Sequence, residues 1–107
     1  MSTDLYDSEQ APPHPGEILR EDILPVLGMS RSGLARHLGI SARRLRELLA
    51  ERRPVTLDLA VRLGTALSYG TRYWLGLQVQ YDLWRSDRSA AVAVTPVIWP
   101  LRSRPAG

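Results

Sequence analysis

The sequence predicts an all-α fold of five short helices, and three observations carry that expectation. Leucine, isoleucine and alanine recur at three- and four-residue spacing from Ile18 to Trp84, the period of helices with one buried face. The runs are bounded by helix punctuation: Ser30, Ser41, Thr56 and Thr71 at their starts, and Gly28, Gly39, Pro54 and Gly70 at their ends. Finally, 107 residues suffice for one domain with one modest core.

Taken in order, residues 1–13 read as a flexible acidic arm, because the prolines of APPHPG disfavour helix before Pro15. His14, beside Pro13 and Pro15, reads as a turn residue. A first helix follows from Glu17, with Ile18, Leu19, Ile23 and Leu24 on one face, acids in its early turns, and Pro25 with Gly28 closing it. Ser30 caps a second helix whose apolar side is Leu34, Ala35 and Leu38, ended by Gly39. Ser41 caps a third from about Ala42 to Glu51, with Leu45, Leu48 and Leu49 inward. Thr56 caps a fourth with Leu59, Ala60, Leu63, Ala66 and Leu67 inward, stopping near Gly70. Thr71 caps the fifth, in which Trp74, Leu77, Tyr81 and Trp84 form an apolar stripe suited to core or dimer contact. From Ser89 to 107 the pattern changes. AVAVTPVIWP is rich in β-branched residues but broken by Pro96 and Pro100, which predicts an extended or edge-strand tail.

The net charge of +3 conceals a sorting of charge along the chain. Before residue 30, six acidic side chains face the single Arg20. Between residues 30 and 53, Arg31, Arg36, Arg43, Arg44, Arg46, Arg52 and Arg53 oppose only Glu47 and Glu51. Such a basic segment suits a polyanion. Without cysteine, and with only His14 and His37, the chain offers no disulfide, thiol nucleophile or metal-ligand set, so neither catalysis nor a cofactor is expected. No run approaches the roughly 18 apolar residues that span a bilayer, and the polar, acidic start is unlike a secretory signal, so a cytoplasmic protein is expected.

The segment LARHLGISARRLRELL brings these features together. Two helices joined by a tight turn approach closely, which calls for a small residue in the first and a glycine at the reversal; Ala35 and Gly39 supply both. The second helix buries Leu45 and Leu48 and turns Ser41, Ala42, Arg43, Arg46, Glu47 and Ala50 outward, as a helix lying in the major groove of DNA must. Arginine can bond guanine O6 and N7 in parallel, and glutamate can accept from cytosine N4. Arg43, Arg44, Arg46 and Glu47 are therefore the candidate base readers, led by Arg43 and Glu47. Ser30, Arg31, Ser32 and Ser41, at helix starts, suit phosphate, and Arg52 with Arg53 forms a backbone clamp. An arginine run alone is usually a solvated face. The turn and its caps favour DNA here. A protein-interaction module binding an acidic partner is the competing class.

From HPGEILREDILPVLGMSRSGLARHLGIS through RPVTLDLAVRL and WLGLQVQYDL, the chain resembles the HigA-type antitoxins, a branch of the phage-repressor-like helix-turn-helix regulators. The resemblance spans residues 14–88, and the tail departs from it. It implies a five-helix homodimer that binds a palindromic operator in its own promoter, with the helix from Ala42 as recognition helix. The family's partner is a HigB-type toxin, a ribosome-dependent messenger-RNA endonuclease. The acidic arm, with Asp4, Asp7 and Glu9, offers an electrostatic partner for a basic toxin. The same family contains solitary regulators without a toxin.

Overall fold

The computed structural model describes residues 11–88 and 94–100. The expected arm, with Asp4, Asp7 and Glu9, and the tail residues 89–93 and 101–107 lie outside that description. Five helical segments follow one another, and there is no strand among the described residues. The first, α1, is composite: Pro15–Glu17, a wider π-helical stretch Ile18–Ile23, and Leu24–Leu27. The others are α2 (Arg31–Leu38), α3 (Ala42–Leu49), α4 (Leu57–Ala66) and α5 (Thr71–Arg88). No helix among the described residues is long and apolar enough to cross a membrane.

The α1 segment differs from the sequence reading, beginning at Pro15 rather than Glu17. His14 is no mere turn residue: it is buried, and its Nδ1 accepts from the Gly16 amide at 2.9 Å as the helix cap. Pro25 does not close the helix either. Through Ile18–Ile23 the ladder widens, so that the Leu24 amide reaches back to the Leu19 carbonyl. Pro25 then falls in the first turn of the next α-helical stretch, where no amide donor is required. Gly28, at φ 73°, ends the segment.

The caps at Ser30, Ser41 and Thr56 form as expected, each side chain accepting from the backbone amide three residues on. The core joins all five segments through Leu19, Leu34, Leu38, Leu45, Leu48, Leu49, Leu59, Leu63 and Trp74. Ala66 and Leu67 are half-buried against it. Two glycines set how closely helices approach. A Cβ on Gly16 would run into the Leu48 carbonyl, so the start of α1 is seated directly on the end of α3. A Cβ on Gly64 would meet the Gly70–Thr71 backbone, which locks α4 against the start of α5.

On α5, the stripe resolves mainly into core. Trp74 is wholly buried, Leu77 packs against the core, and Tyr81 stands edge-on to His14 with centroids 4.9 Å apart. Trp84 is half-buried, 6.3 Å from the Tyr81 ring. The described part of the tail, residues 94–100, has neither helix nor strand pairing, and its Val94, Val97, Ile98 and Trp99 are exposed. Of the two forms expected for it, the edge strand finds no ladder there.

Candidate nucleic-acid interface

The local chemistry of α2 and α3 builds a rigid two-helix unit. Gly39 adopts φ 75°, and its amide and that of Ile40 return to the carbonyls of Ala35 and Arg36 at 3.0–3.1 Å, reversing the chain within two residues. Ile40 follows into the core. Ser41 then caps α3, its Oγ accepting from the Arg44 amide at 3.0 Å.

A guanidinium group reinforces this turn from outside. Nη1 of Arg62, on α4, donates to the carbonyls of Leu38 (2.9 Å) and Gly39 (3.3 Å), satisfying the carbonyl end of α2. Its Nε is held by Asp58 at 3.0 Å. Asp58 also receives Nη2 of Arg44 at 3.4 Å. Its carboxyl is held below the usual range, chiefly by the Arg62 bond and then by Arg44.

The far end of α3 has its own fastening. Here the amides of Glu51 and Arg52 return to the carbonyls of Leu48 and Glu47, both at 2.9 Å, the double closure usually made with a glycine. Glu51 takes that place at φ 63°, a left-handed conformation rarely adopted by residues with a Cβ. Arg20 of α1 completes the end, donating to the Leu49 carbonyl at 2.7 Å and to Glu51 at 3.0 Å. The next residues are held by Gln78 on α5, whose Oε1 accepts from the buried Val55 amide at 2.8 Å.

With the unit fastened from behind, the sequence-predicted site residues divide into groups. Arg31, Ser32, Ala42 and Arg46 come together around one shallow cleft of about 120 Å³ between the starts of α2 and α3. Arg43 stands out from α3 with four-fifths of its side chain exposed, and Arg52 is exposed at the other end. Ser30 and Ser41 lie at the two helix starts with their oxygens engaged as caps. Arg44 is set apart. It is half-buried, turned toward Asp58 on α4, and its Nε is buried without a hydrogen-bond partner among the described residues. Glu47 lies between two arginines: Oε2 accepts from Arg43 Nε at 3.1 Å, and Oε1 from Arg53 Nε at 3.1 Å and Nη2 at 2.7 Å. Those bonds, Arg53 first, hold its carboxyl below the ordinary range.

Sequence reasoning missed Arg20, Asp58, Arg62 and Gln78. Asp58 and Arg62 did carry a signal, since opposite charges four residues apart on a helix pair with each other. Arg20 and Gln78 act across 29 and 23 residues, where helical periodicity is silent.

Two short helices reversed at a left-handed glycine, the second presenting the exposed Arg43 and Arg46 beside two helix starts, define a helix-turn-helix protein of the DNA-binding class. No protein-family model matches the chain. It is 40% identical over 83 residues to virulence-associated protein I of Dichelobacter nodosus, covering 78% of this chain and 77% of the relative. Among solved structures it is similar to an addiction module antidote protein of the HigA family from Coxiella burnetii, with TM-score 0.68 and 36% identity, covering 82% of this chain and all of that one. It is also similar to the Pseudomonas aeruginosa antitoxin HigA solved with higBA promoter, with TM-score 0.68 and 32% identity, covering 81% of this chain and 99% of that one. The chain belongs to the HigA family of helix-turn-helix antitoxins. Its relatives of that name are antitoxins, one of them solved with promoter DNA.

Proposed function

We propose that this chain is a non-enzymatic, cytoplasmic autorepressor and antitoxin. Residues 14–88 would form a homodimer whose two α3 helices read the half-sites of a palindromic operator in its own promoter. The same dimer would neutralise a HigB-type messenger-RNA endonuclease. The observation that carries the DNA reading is the cluster of Arg31, Ser32, Ala42 and Arg46 beside the projecting Arg43, on the face that the Arg20 and Arg62 fastenings leave open. The P. aeruginosa antitoxin HigA, solved with higBA promoter, supports promoter DNA as the target.

Within that reading, Arg43 and Arg46 are the base readers, and Ala42 offers its methyl group to the groove floor. Ser30, Arg31, Ser32, Ser41, Arg52 and Arg53 contact phosphate and fix the register. Arg44 ties α3 to Asp58 on α4. One recognition helix makes too few contacts for selectivity, so two half-sites about 34 Å apart are required. With Trp74 in the core, the apolar surface left on α5 for a mate is Val79 and Leu83, four residues apart and each more than half exposed.

Fluorescence anisotropy on the DNA upstream of the gene, at physiological salt, tests the DNA reading. Tight binding there with weak binding to a shuffled duplex is expected; equal binding to both contradicts it. Addition of the RNase-like protein encoded beside the gene tests the antitoxin reading, with loss of messenger-RNA cleavage expected. Persisting cleavage would leave a solitary regulator. Deleting residues 1–13 asks whether the acidic arm holds the toxin, and unchanged toxin affinity would discard that role.

A further inference from the structure

We propose that Glu47 is a positioning residue for DNA reading, whose carboxylate acts through Arg43 and Arg53 and touches no base. The inference rests on the DNA-binding reading of α3. An acidic side chain on the outer face of a recognition helix is otherwise the natural acceptor for cytosine N4. The geometry points away from that use. Both Glu47 oxygens are engaged, one by Arg43 and the other by two nitrogens of Arg53. The Glu47 side chain is 27% exposed and that of Arg43 is 79% exposed, so the arginine is the member of the pair that projects. To reach a cytosine, the less exposed Glu47 would have to extend past the Arg43 side chain bonded to it.

The consequence for Arg43 is specific. Glu47 takes its Nε–H and leaves the two terminal nitrogens as donors, and guanine O6 and N7 require two parallel donors. A side chain already held in its bound orientation loses less freedom on binding. An Arg–Glu pair four residues apart is common on helices. Arg53 makes this one different, because it comes from beyond the helix end. The left-handed turn at Glu51 reverses the chain, the Arg52 amide closes on the Glu47 carbonyl, and Arg53 is thereby brought back to the Glu47 carboxylate. One residue thus sets an outward arginine at the middle of the reading helix and another at its end.

The test uses duplexes that the full-length wild-type protein selects from a randomised pool, with a scrambled duplex as control. Glu47→Ala, Glu47→Gln, Arg43→Ala and the double variant R43A/E47A are compared by anisotropy, each shown to be folded by its unfolding curve. Glu47→Ala is expected to lose about tenfold in affinity for the selected duplex and much less on the scrambled one, where only the Arg53 phosphate contact is affected. Its base preference should relax at the same base pair that Arg43→Ala no longer distinguishes, and the double variant should discriminate between bases as Arg43→Ala does. Glu47→Gln should retain part of the preference, since its amide oxygen can still accept from one guanidinium. Relaxation at a different base pair, with losses that add in the double variant, would overturn the proposal in favour of a direct reader. Unchanged binding by Glu47→Ala would overturn it as well. If the wild-type protein selects no sequence, the DNA-binding reading itself falls.

Discussion

The arginines behind the helix-turn-helix and those in front of it are chemically the same, yet the molecule uses them in opposite ways. At the rear, Arg20 and Arg62 donate to the carbonyl ends of α3 and α2, and each is anchored by a carboxylate from its own helix. In front, Arg31, Arg36, Arg46 and Arg52 are exposed and make no ion pair with the described residues. Residue type does not decide the role. A guanidinium group becomes structural where a helix ends within its reach, because the last carbonyls of a helix lack internal partners and carry negative partial charge. Arg31 and Arg46 instead border the starts of α2 and α3, whose amides attract anions and offer a guanidinium group no acceptor.

This division can be broken from the rear first. Gly16→Ala places a methyl group against the Leu48 carbonyl, a backbone atom that cannot swing aside. A loss of about 3 kcal/mol is expected in urea unfolding, at the upper end of overpacking effects. Arg62→Ala is milder. It strips the Leu38 and Gly39 carbonyls of their donor and should lower stability by about 1–2 kcal/mol, read from the denaturation midpoint at unchanged slope.

A third test uses pH. Burial holds the His14 imidazole below its ordinary value of 6.5, against the opposing pull of Glu51 and Asp82, and the cap requires an unprotonated Nδ1. The unfolded chain therefore takes up a proton before the folded one does. The contribution of His14 is complete above about pH 6.5 and is lost as pH falls below that value toward the folded pKa. Thermal melts from pH 7.5 to 5 should show the decline, and His14→Asn, which caps without titrating, should remove that component. The smallest effect belongs to the front. Arg52→Ala should change stability by under about 0.5 kcal/mol, while weakening binding to all duplexes alike and reducing the salt slope by about 1.

Much of this arrangement was legible in the sequence where its causes are local. Ser30, Ser41 and Thr56 cap the helices they were expected to cap, Gly39 makes the turn, and Leu34, Leu38, Leu45 and Leu48 enter the core. What was not legible depends on long-range contacts or on replacement of the usual residue. Glu51 occupies a left-handed position that sequence rules assign to glycine, with Arg20 bonded to its carboxylate. Pro25 was read as a helix end because the rule assumes an α-helical ladder, whereas the wider turn before it shifts that ladder. His14 could not be recognised as a buried cap until Tyr81, 67 residues away, was seen to cover it. Within the interface, periodicity puts Glu47 on the outer face of α3, and side-chain chemistry makes Arg44 a candidate base reader with it. Their engagement by Asp58 and Arg53 depends on elements that begin after the helix has ended.

The division between front and rear is tested most directly by exchanging the two readouts between Arg43→Ala and Arg62→Ala. For each variant, urea unfolding is set beside the ratio of affinities for the upstream promoter and a scrambled duplex. Arg43→Ala should leave the unfolding midpoint in place and reduce the affinity ratio by about 1–3 kcal/mol, concentrated at one base pair. Arg62→Ala should lower the midpoint and keep the ratio, once binding is measured where the variant is fully folded. Equal loss of discrimination in both variants, or a destabilised Arg43→Ala with its discrimination intact, would contradict the account.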